Sequence, residues 1–389
     1  MKRILYISDL NEAAPLYHSQ ILPQTVELRR YFDVTMLKMT KNEETGYIND
    51  SFHYSSIKGD YYYYLAAINF YRQKESVNSF LKQGKFDLIY SRGLRGGLVG
   101  SFVKHYLYKN CITLLNDTRG FSLDGMKNNF INRVILSKSE RFVFKSADIL
   151  FLVSNYLKEK VCSQYQFDKN NAHVFPTFVA DNKFDFNEEN RALIRKGMQL
   201  SDGDIVLLYS GNLADYQNVE FFLKAYSRST NPNLKMIFLT NAPEINSLVN
   251  KYQIPADKIR IRSAKYADIE KYYHAADFGL LIRDNTVTNK SAAPTKFSEY
   301  LNAGLSIIIN DIESDYVRQF KRLKPEGFLL PKKEDLTACF NSITKSDVKR
   351  NNLKINTLAG IVKEQRDILK TWLNSSSTDK PMAPARQMT

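Results

Sequence analysis

The 389-residue sequence predicts an α/β protein of two domains, each a parallel sheet with crossover helices. Three observations carry that reading. The chain is longer than one hydrophobic core usually serves. Short apolar runs alternate with longer amphipathic stretches from beginning to end, the pattern of strands joined by helices. The alternation also starts afresh after a polar, proline-containing stretch near the middle.

In the first half, residues 4–7, 32–37, 87–90, 111–115 and 148–153 read as strands, and Ser154 is placed to cap a helix over 155–161. The loops after these strands carry Ser8-Asp9-Leu10, Ser91-Arg92-Gly93 and Asn116-Asp117-Thr118-Arg119-Gly120. A second set of strands is expected at 205–209, 235–240, 259–262, 278–282 and 306–310. Between the sets, residues 173–178 and Asp181-Asn182-Lys183 have the proline and polar content of a linker. The expected domains are therefore 1–180 and 181–358, followed by a helix at 359–373 that packs back on the first domain. The Ser/Thr/Pro-rich end, 374–389, reads as a disordered tail.

Lys plus Arg number 55 against 41 Asp plus Glu, a formal charge of +14. That excess points to an anionic partner, phosphate groups or an acidic membrane surface. No nucleic-acid-binding motif accompanies it, which argues against nucleic acid as the partner. The cysteines, Cys111, Cys162 and Cys339, are odd in number and widely spaced, so a disulfide framework and a zinc site are both disfavoured and a cytoplasmic location fits. Ser8 and Asp9 cut the opening apolar run too short for a secretory signal. No uninterrupted apolar stretch reaches the roughly 20 residues of a spanning helix, so membrane contact would be peripheral.

The most informative stretch runs from Phe278 to Ile307. A strand ending at Arg283 is followed by a polar loop, then a short helix opening at Pro294, where the missing N–H is not needed, and closing at Gly304. The free amides near Thr295 and Lys296, with the helix dipole behind them, suit a phosphate oxygen, and Lys296 adds a full charge. Glu299, about one helical turn on, can accept two hydrogen bonds from a ribose diol. An anion site and a diol acceptor at this spacing describe a nucleotide diphosphate, although any α/β domain also has helix N-termini.

This Pro-Thr-Lys-x-x-Glu-Tyr-Leu-x-x-Gly-Leu run resembles the donor-binding segment of the family 4 (group 1) glycosyltransferases. These are retaining enzymes of the GT-B fold, in which two Rossmann-like domains face each other across a cleft. The resemblance covers most of the chain. Tyr209-Ser210-Gly211-Asn212 is similar to the loop that opens the family's second domain, and Asp117-Thr118-Arg119-Gly120 to an Asp-x-Arg-Gly loop of some members. It departs at four positions: Ser291 stands where a Glu is usual, Asn212 where Arg is frequent, Gln217 where Lys follows, and Asn116 where many relatives have His.

The resemblance implies transfer of a sugar from a nucleotide-diphosphate donor to a saccharide or lipid-linked acceptor with retention, in cell-surface polysaccharide synthesis. The donor residues it implies are Gly211, Asn212, Arg283, Ser291, Pro294, Thr295, Lys296 and Glu299. Asp117, Arg119 and Lys296 take the catalytic role, and His18, Arg92 and Asn116 the acceptor side. With Asn212 and Gln217 neutral, phosphate charge falls to Lys296, Arg283 and Arg119. No cofactor or metal is required in this reading, and Asp202-Gly203-Asp204 reads as a turn. Residues 126–145 interleave Lys127, Arg133, Lys138, Arg141 and Lys145 with apolar side chains, an arrangement that suits an anionic inner leaflet. A nucleotide-sugar-binding module without turnover and a sugar-nucleotide epimerase on the same fold are the alternatives.

Overall fold

The computed structural model describes residues 1–8, 16–40, 46–48, 51–57, 59–82, 84–120 and 130–375. It divides into two compact units, one of Met1–Leu152, Val161–Phe175 and the chain from Leu358 on, the other of Val153–Lys160 and Pro176–Thr357.

The first unit holds strands β1 (Arg3–Ser8), β2 (Asp33–Thr40), β3 (Gly46–Ile48), β4 (Ser51–Ser55), β5 (Leu88–Arg92), β6 (Thr113–Thr118), β7 (Ile149–Leu152) and β8 (Ala172–Val174). The second holds β9 (Ile205–Ser210), β10 (Leu234–Leu239), β11 (Ile259–Arg262), β12 (Phe278–Leu281), β13 (Ser306–Asn310) and β14 (Gly327–Leu330). The helices, in chain order, begin with α1 (Leu22–Leu28), α2 (Tyr63–Lys82), α3 (Gly93–Phe102), α4 (Phe130–Ser146) and α5 (Asn155–Tyr165). They continue with α6 (Glu188–Gly197), α7 (Val219–Ser227), α8 (Ile245–Lys251), α9 (Ile269–Ala275) and α10 (Val287–Ser291). The last four are α11 (Thr295–Asn302), α12 (Asp315–Leu323), α13 (Leu336–Ser342) and α14 (Leu358–Ser375).

The first sheet runs β3-β4-β2-β1-β5-β6-β7-β8 and is parallel except for β3, which lies antiparallel on β4. The second runs β11-β10-β9-β12-β13-β14, all parallel. Strands such as Ile205–Ser210 and Ser306–Asn310 are buried throughout because helices cover both faces, which is why they read as continuous apolar runs. Alternation appears in what each residue touches. Val206 and Leu208 join a core with Tyr273, Phe297, Tyr300 and Val317, whereas Ile205, Leu207 and Tyr209 join one with Phe222, Leu223, Leu336 and Phe340.

Both sheets contain a point where the strand order reverses. In the first, the chain moves outward from β1 through β2 to β4 and returns across β1 to β5; in the second it moves from β9 to β11 and returns to β12. Ligands of open α/β sheets bind at such points, outside the carboxyl ends of the strands. Of the predicted site residues, Arg92 ends β5, Asp117 is the next to last residue of β6, and Gly211 follows β9.

Several expectations need correction. The stretch read as a linker from 173 begins as strand β8, paired with β7. The strand at Phe278 stops at Leu281, short of Arg283, and the polar loop beyond it contains α10, capped by the Thr286 side chain. Pro294 is the residue before α11 rather than its first turn, with an extended ψ of 121°. His18 lies in a helical turn, Tyr17–Ile21, that runs into α1, not in a loop. Asn374 and Ser375 are still helical, and 376–389, the rest of the expected tail, lies outside the described residues, as do 126–129 with Lys127.

Candidate functional site

In the second unit, Gly304 at φ +77° closes α11, and its first turn contains no acidic residue and has no side-chain cap. The amides that open the helix are thus left for an outside acceptor. Lys296 reaches back over the β9 end: its Nζ donates to Gln217 Oε1 at 2.9 Å and lies 4.3 Å from the Tyr209 ring centre. Gly211 makes room for it. At φ +145° this backbone favours glycine, and a Cβ there would stand 2.5 Å from Lys296 Nζ. The loop itself is fixed by Tyr209, whose hydroxyl donates to the Asn212 carbonyl at 2.6 Å, and by Tyr300, whose hydroxyl accepts the Ser210 N–H at 3.2 Å.

Glu299, one turn below Lys296, is buried and accepts the Tyr273 hydroxyl at 2.9 Å. Burial pushes its carboxyl above the usual range, opposed by that hydrogen bond and by Lys296. Lys296 is held well below an ordinary amine, first by desolvation and then by the Arg283 charge, with Glu299 opposing. Arg283 is buried; its Nη1 donates to the Tyr216 carbonyl and to Asn289 Oδ1, and its guanidinium lies 5.2 Å from the Tyr216 ring centre. Asn310, ending β13, brackets its backbone by accepting the Arg283 N–H and donating to its carbonyl, both at 2.8 Å. Ser291 is buried with its hydroxyl on the Val287 carbonyl, and Asn212 is exposed.

The first unit builds a polar cluster at its own reversal point. Register places Tyr6 beside Tyr90 and Arg92 beside Asp117. The two tyrosine rings stack at 4.8 Å, and burial pushes the Tyr6 phenol up to about 12. Asp117 Oδ2 accepts from Tyr90 (3.1 Å), Arg92 (3.2 Å) and Arg119 (2.8 Å). Gln24 of α1 accepts from Tyr6 and Arg92 and donates to Tyr90 and to Gln365 of α14. Asn116 instead braces the start of α3: its amide donates to Ser91 Oγ and the Gly93 carbonyl and accepts Thr118 Oγ1. His18 is exposed and meets the Tyr17 ring edge-on.

Residues 190–359 match the family model for glycosyl transferases group 1. That match covers most of the second unit and less than half of the chain. Over the whole chain, HepE of Anabaena, solved in complex with UDP and glucose, is similar with a TM-score of 0.70 at 10% identity, covering 95% of this chain and 100% of HepE. Sucrose-phosphate synthase of Thermosynechococcus elongatus gives 0.66 at 14% identity, covering 97% of each chain. WaaG, a glycosyltransferase involved in lipopolysaccharide biosynthesis, gives 0.62 at 12%, covering 97% of this chain and 100% of WaaG. No curated protein matches by sequence. The two units together have the GT-B fold of these structures.

The second unit gathers Gly211, Arg283, Lys296 and Glu299 around one strand reversal, and the first gathers Arg92, Asp117 and Arg119 around another. Sequence reasoning noted Gln217 only as a departure from Lys and assigned no role to the other groups that hold them. Tyr209, Tyr273 and Gln217 orient the second set, and Tyr6, Gln24, Tyr90 and Gln365 the first. Tyr6 and Tyr90 carried a usable signal, since each sits two residues before the polar end of its strand.

Proposed function

We propose that the protein transfers a sugar from a nucleoside-diphosphate donor to a saccharide or lipid-linked acceptor with retention of anomeric configuration. The observation that carries this reading is Lys296 in the open first turn of α11, with buried Glu299 three residues behind it on Tyr273. In this reading the diphosphate takes the first amides of α11 and the Lys296 ammonium, and Glu299 accepts the ribose hydroxyls. Cleaving the sugar–phosphate bond builds negative charge on the leaving diphosphate, and cations fixed before the reaction lower that barrier. Arg283 adds charge behind Lys296, so a divalent metal is not needed for neutralisation; EDTA should leave the rate unchanged. Ser291 stands where a carboxylate would meet the sugar, so sugar contacts come from elsewhere.

The first unit, with Asp117 and Arg119, takes the acceptor. A role in cell-surface polysaccharide synthesis is part of this reading, and the structurally similar WaaG is involved in lipopolysaccharide biosynthesis. No described helix is long and apolar enough to cross a membrane. Peripheral contact is instead supported by α4, where Phe130, Ile131 and Val134 are exposed alongside exposed Arg133, Lys138, Arg141 and Lys145. Co-sedimentation with anionic liposomes that weakens with salt tests this; binding indifferent to lipid charge would reject it.

The first test of the donor site is a thermal-shift screen against UDP, GDP, ADP, CMP and phosphate, because a ligand of the native state raises its stability. Stabilisation by one nucleoside diphosphate, lost in Glu299→Ala, is the expected result. A flat response at millimolar concentration would remove the donor assignment. NMR of the product anomer, against that of the donor, decides retention.

A further inference from the structure

Arg119 is only partly satisfied. Its Nη2 donates to Asp117 Oδ2 at 2.8 Å, and its side chain is 18% exposed. Among the described residues its Nε and Nη1 are buried without an acceptor, as is Nε2 of Gln365 in the same network. All three are donors, so the cluster lacks acceptors. Buried donors in folded proteins are rarely left open, and a charged one is the costliest to leave so.

The neighbours deepen that deficit. Asp117 Oδ2 already serves Tyr90 and Arg92 as well as Arg119. Tyr6 and Tyr90 are held neutral by burial, so they offer no negative charge. Helix α3 starts at Gly93, directly after Arg92, has no acidic residue in its first turn, and brings its positive pole to the same strand ends. These groups stand where the first sheet reverses its strand order, the position at which such sheets take ligands.

We propose that Arg119, with the N-terminus of α3, forms an oxyanion subsite, and that the acceptor of the proposed transfer carries a phosphate or carboxylate that occupies it. This rests on the reading that the first unit takes the acceptor. A neutral oligosaccharide would leave the Arg119 donors without a charged partner, whereas a sugar phosphate or a uronic acid completes them. A guanidinium suits either oxyanion.

The test uses the full chain with saturating UDP to fill the donor site. D-Glucose 1-phosphate, D-glucuronate and D-glucose are compared as probes by ligand-observed NMR, and each titration is repeated without UDP. The expected result is binding of at least one anionic sugar under both conditions, with glucose binding at least about tenfold more weakly, the loss that goes with one charged hydrogen bond. Preference for the phosphate or for the carboxylate names the source of the oxyanion. Arg119→Gln should weaken that binding by about tenfold or more and leave UDP affinity unchanged, while Glu299→Ala should do the reverse. Arg119→Lys, which keeps the charge, should restore part of it, with a thermal melt of each variant confirming the fold. Equal binding of glucose and the anionic sugars overturns the proposal. So does the absence of any anionic binding, or binding unaffected by Arg119→Gln. Failure of UDP alone removes the donor reading and leaves the anion titrations to be read by themselves.

Discussion

Lys296 and Gln217 form an amine-to-amide hydrogen bond of 2.9 Å, so the cation of the donor segment rests on a neutral oxygen. Among the described residues Lys296 has no ion-pair partner. Desolvation and the nearby Arg283 charge already hold it below an ordinary amine. A lysine kept in that state is destabilising until an anion arrives, and in the proposed reading that anion is the diphosphate.

Replacing the neutral partner should therefore cost affinity. In Gln217→Glu a carboxylate pairs with Lys296, stabilises the free protein and competes with the diphosphate. UDP should bind about tenfold more weakly by calorimetry, about 1.4 kcal/mol, while the melting temperature rises. Unchanged UDP affinity would place the diphosphate away from Lys296.

The depressed amine also sets a pH dependence. Between its lowered folded pKa and its ordinary value of 10.5, the folded state binds fewer protons than the unfolded chain, so this group's contribution to stability rises with pH across that window. A bound diphosphate favours the ammonium and raises the pKa again. UDP binding should then take up a proton, and affinity should fall as pH rises through the window. Calorimetry in two buffers of different ionisation enthalpy reads the uptake, and Lys296→Met should abolish it.

Glu299 should report on the ribose. With Tyr273 holding one carboxylate oxygen at 2.9 Å, the group is oriented before ligand arrives. Wild-type protein should prefer UDP over 2′-deoxyUDP by about tenfold, the worth of one hydrogen bond to a charged group, and Glu299→Ala should bind both alike. Tyr273→Phe should lose part of the preference and about 1 kcal/mol of stability. A preference that survives Glu299→Ala would move the ribose elsewhere.

How far the sequence carried this site depends on the range of the interactions. Ten of the parallel strands were legible because burial on both faces makes them continuous apolar runs, whereas Ser51–Ser55 and Gly327–Leu330 were not expected; α11 was legible because Gly304 marks its end and Pro294 its beginning to within one residue. Short elements were not. Gly46–Ile48 and Ala172–Val174 are only three residues each, too short to show a period, and the second is held by pairing to β7 about twenty residues earlier. The residues that orient the site were hidden for the same reason. Gln24 meets Gln365 across 341 positions, and Tyr273 meets Glu299 from another helix, so no local period records either contact.

A position outside the chemistry should also matter. A Cβ on Gly279 would come within 2.3 Å of the Tyr300 ring, whose hydroxyl accepts the Ser210 N–H. Gly279→Ala must displace that ring inside the core, at a cost of about 1–3 kcal/mol. The melting temperature should fall, and UDP affinity with it, because Ser210 leads into Gly211. Loss of stability with unchanged UDP affinity would show that the loop keeps its shape without Tyr300.

Asp117 separates the two halves of the mechanism. Its Oδ2 is the common acceptor of Tyr90, Arg92 and Arg119, and it is 2% exposed. Asp117→Asn keeps the shape but removes the charge that balances two guanidiniums, so stability should drop by about 2 kcal/mol and Arg119 should lose its fixed position. The proposed donor residues are not among the partners of Asp117, so the UDP dissociation constant should stay within about twofold, inside the range expected for separate sites. Transfer to acceptor should nevertheless fall by at least about tenfold, read as kcat at saturating donor. A normal transfer rate in a folded Asp117→Asn protein would take this cluster out of catalysis and leave Lys296 as the group that carries it.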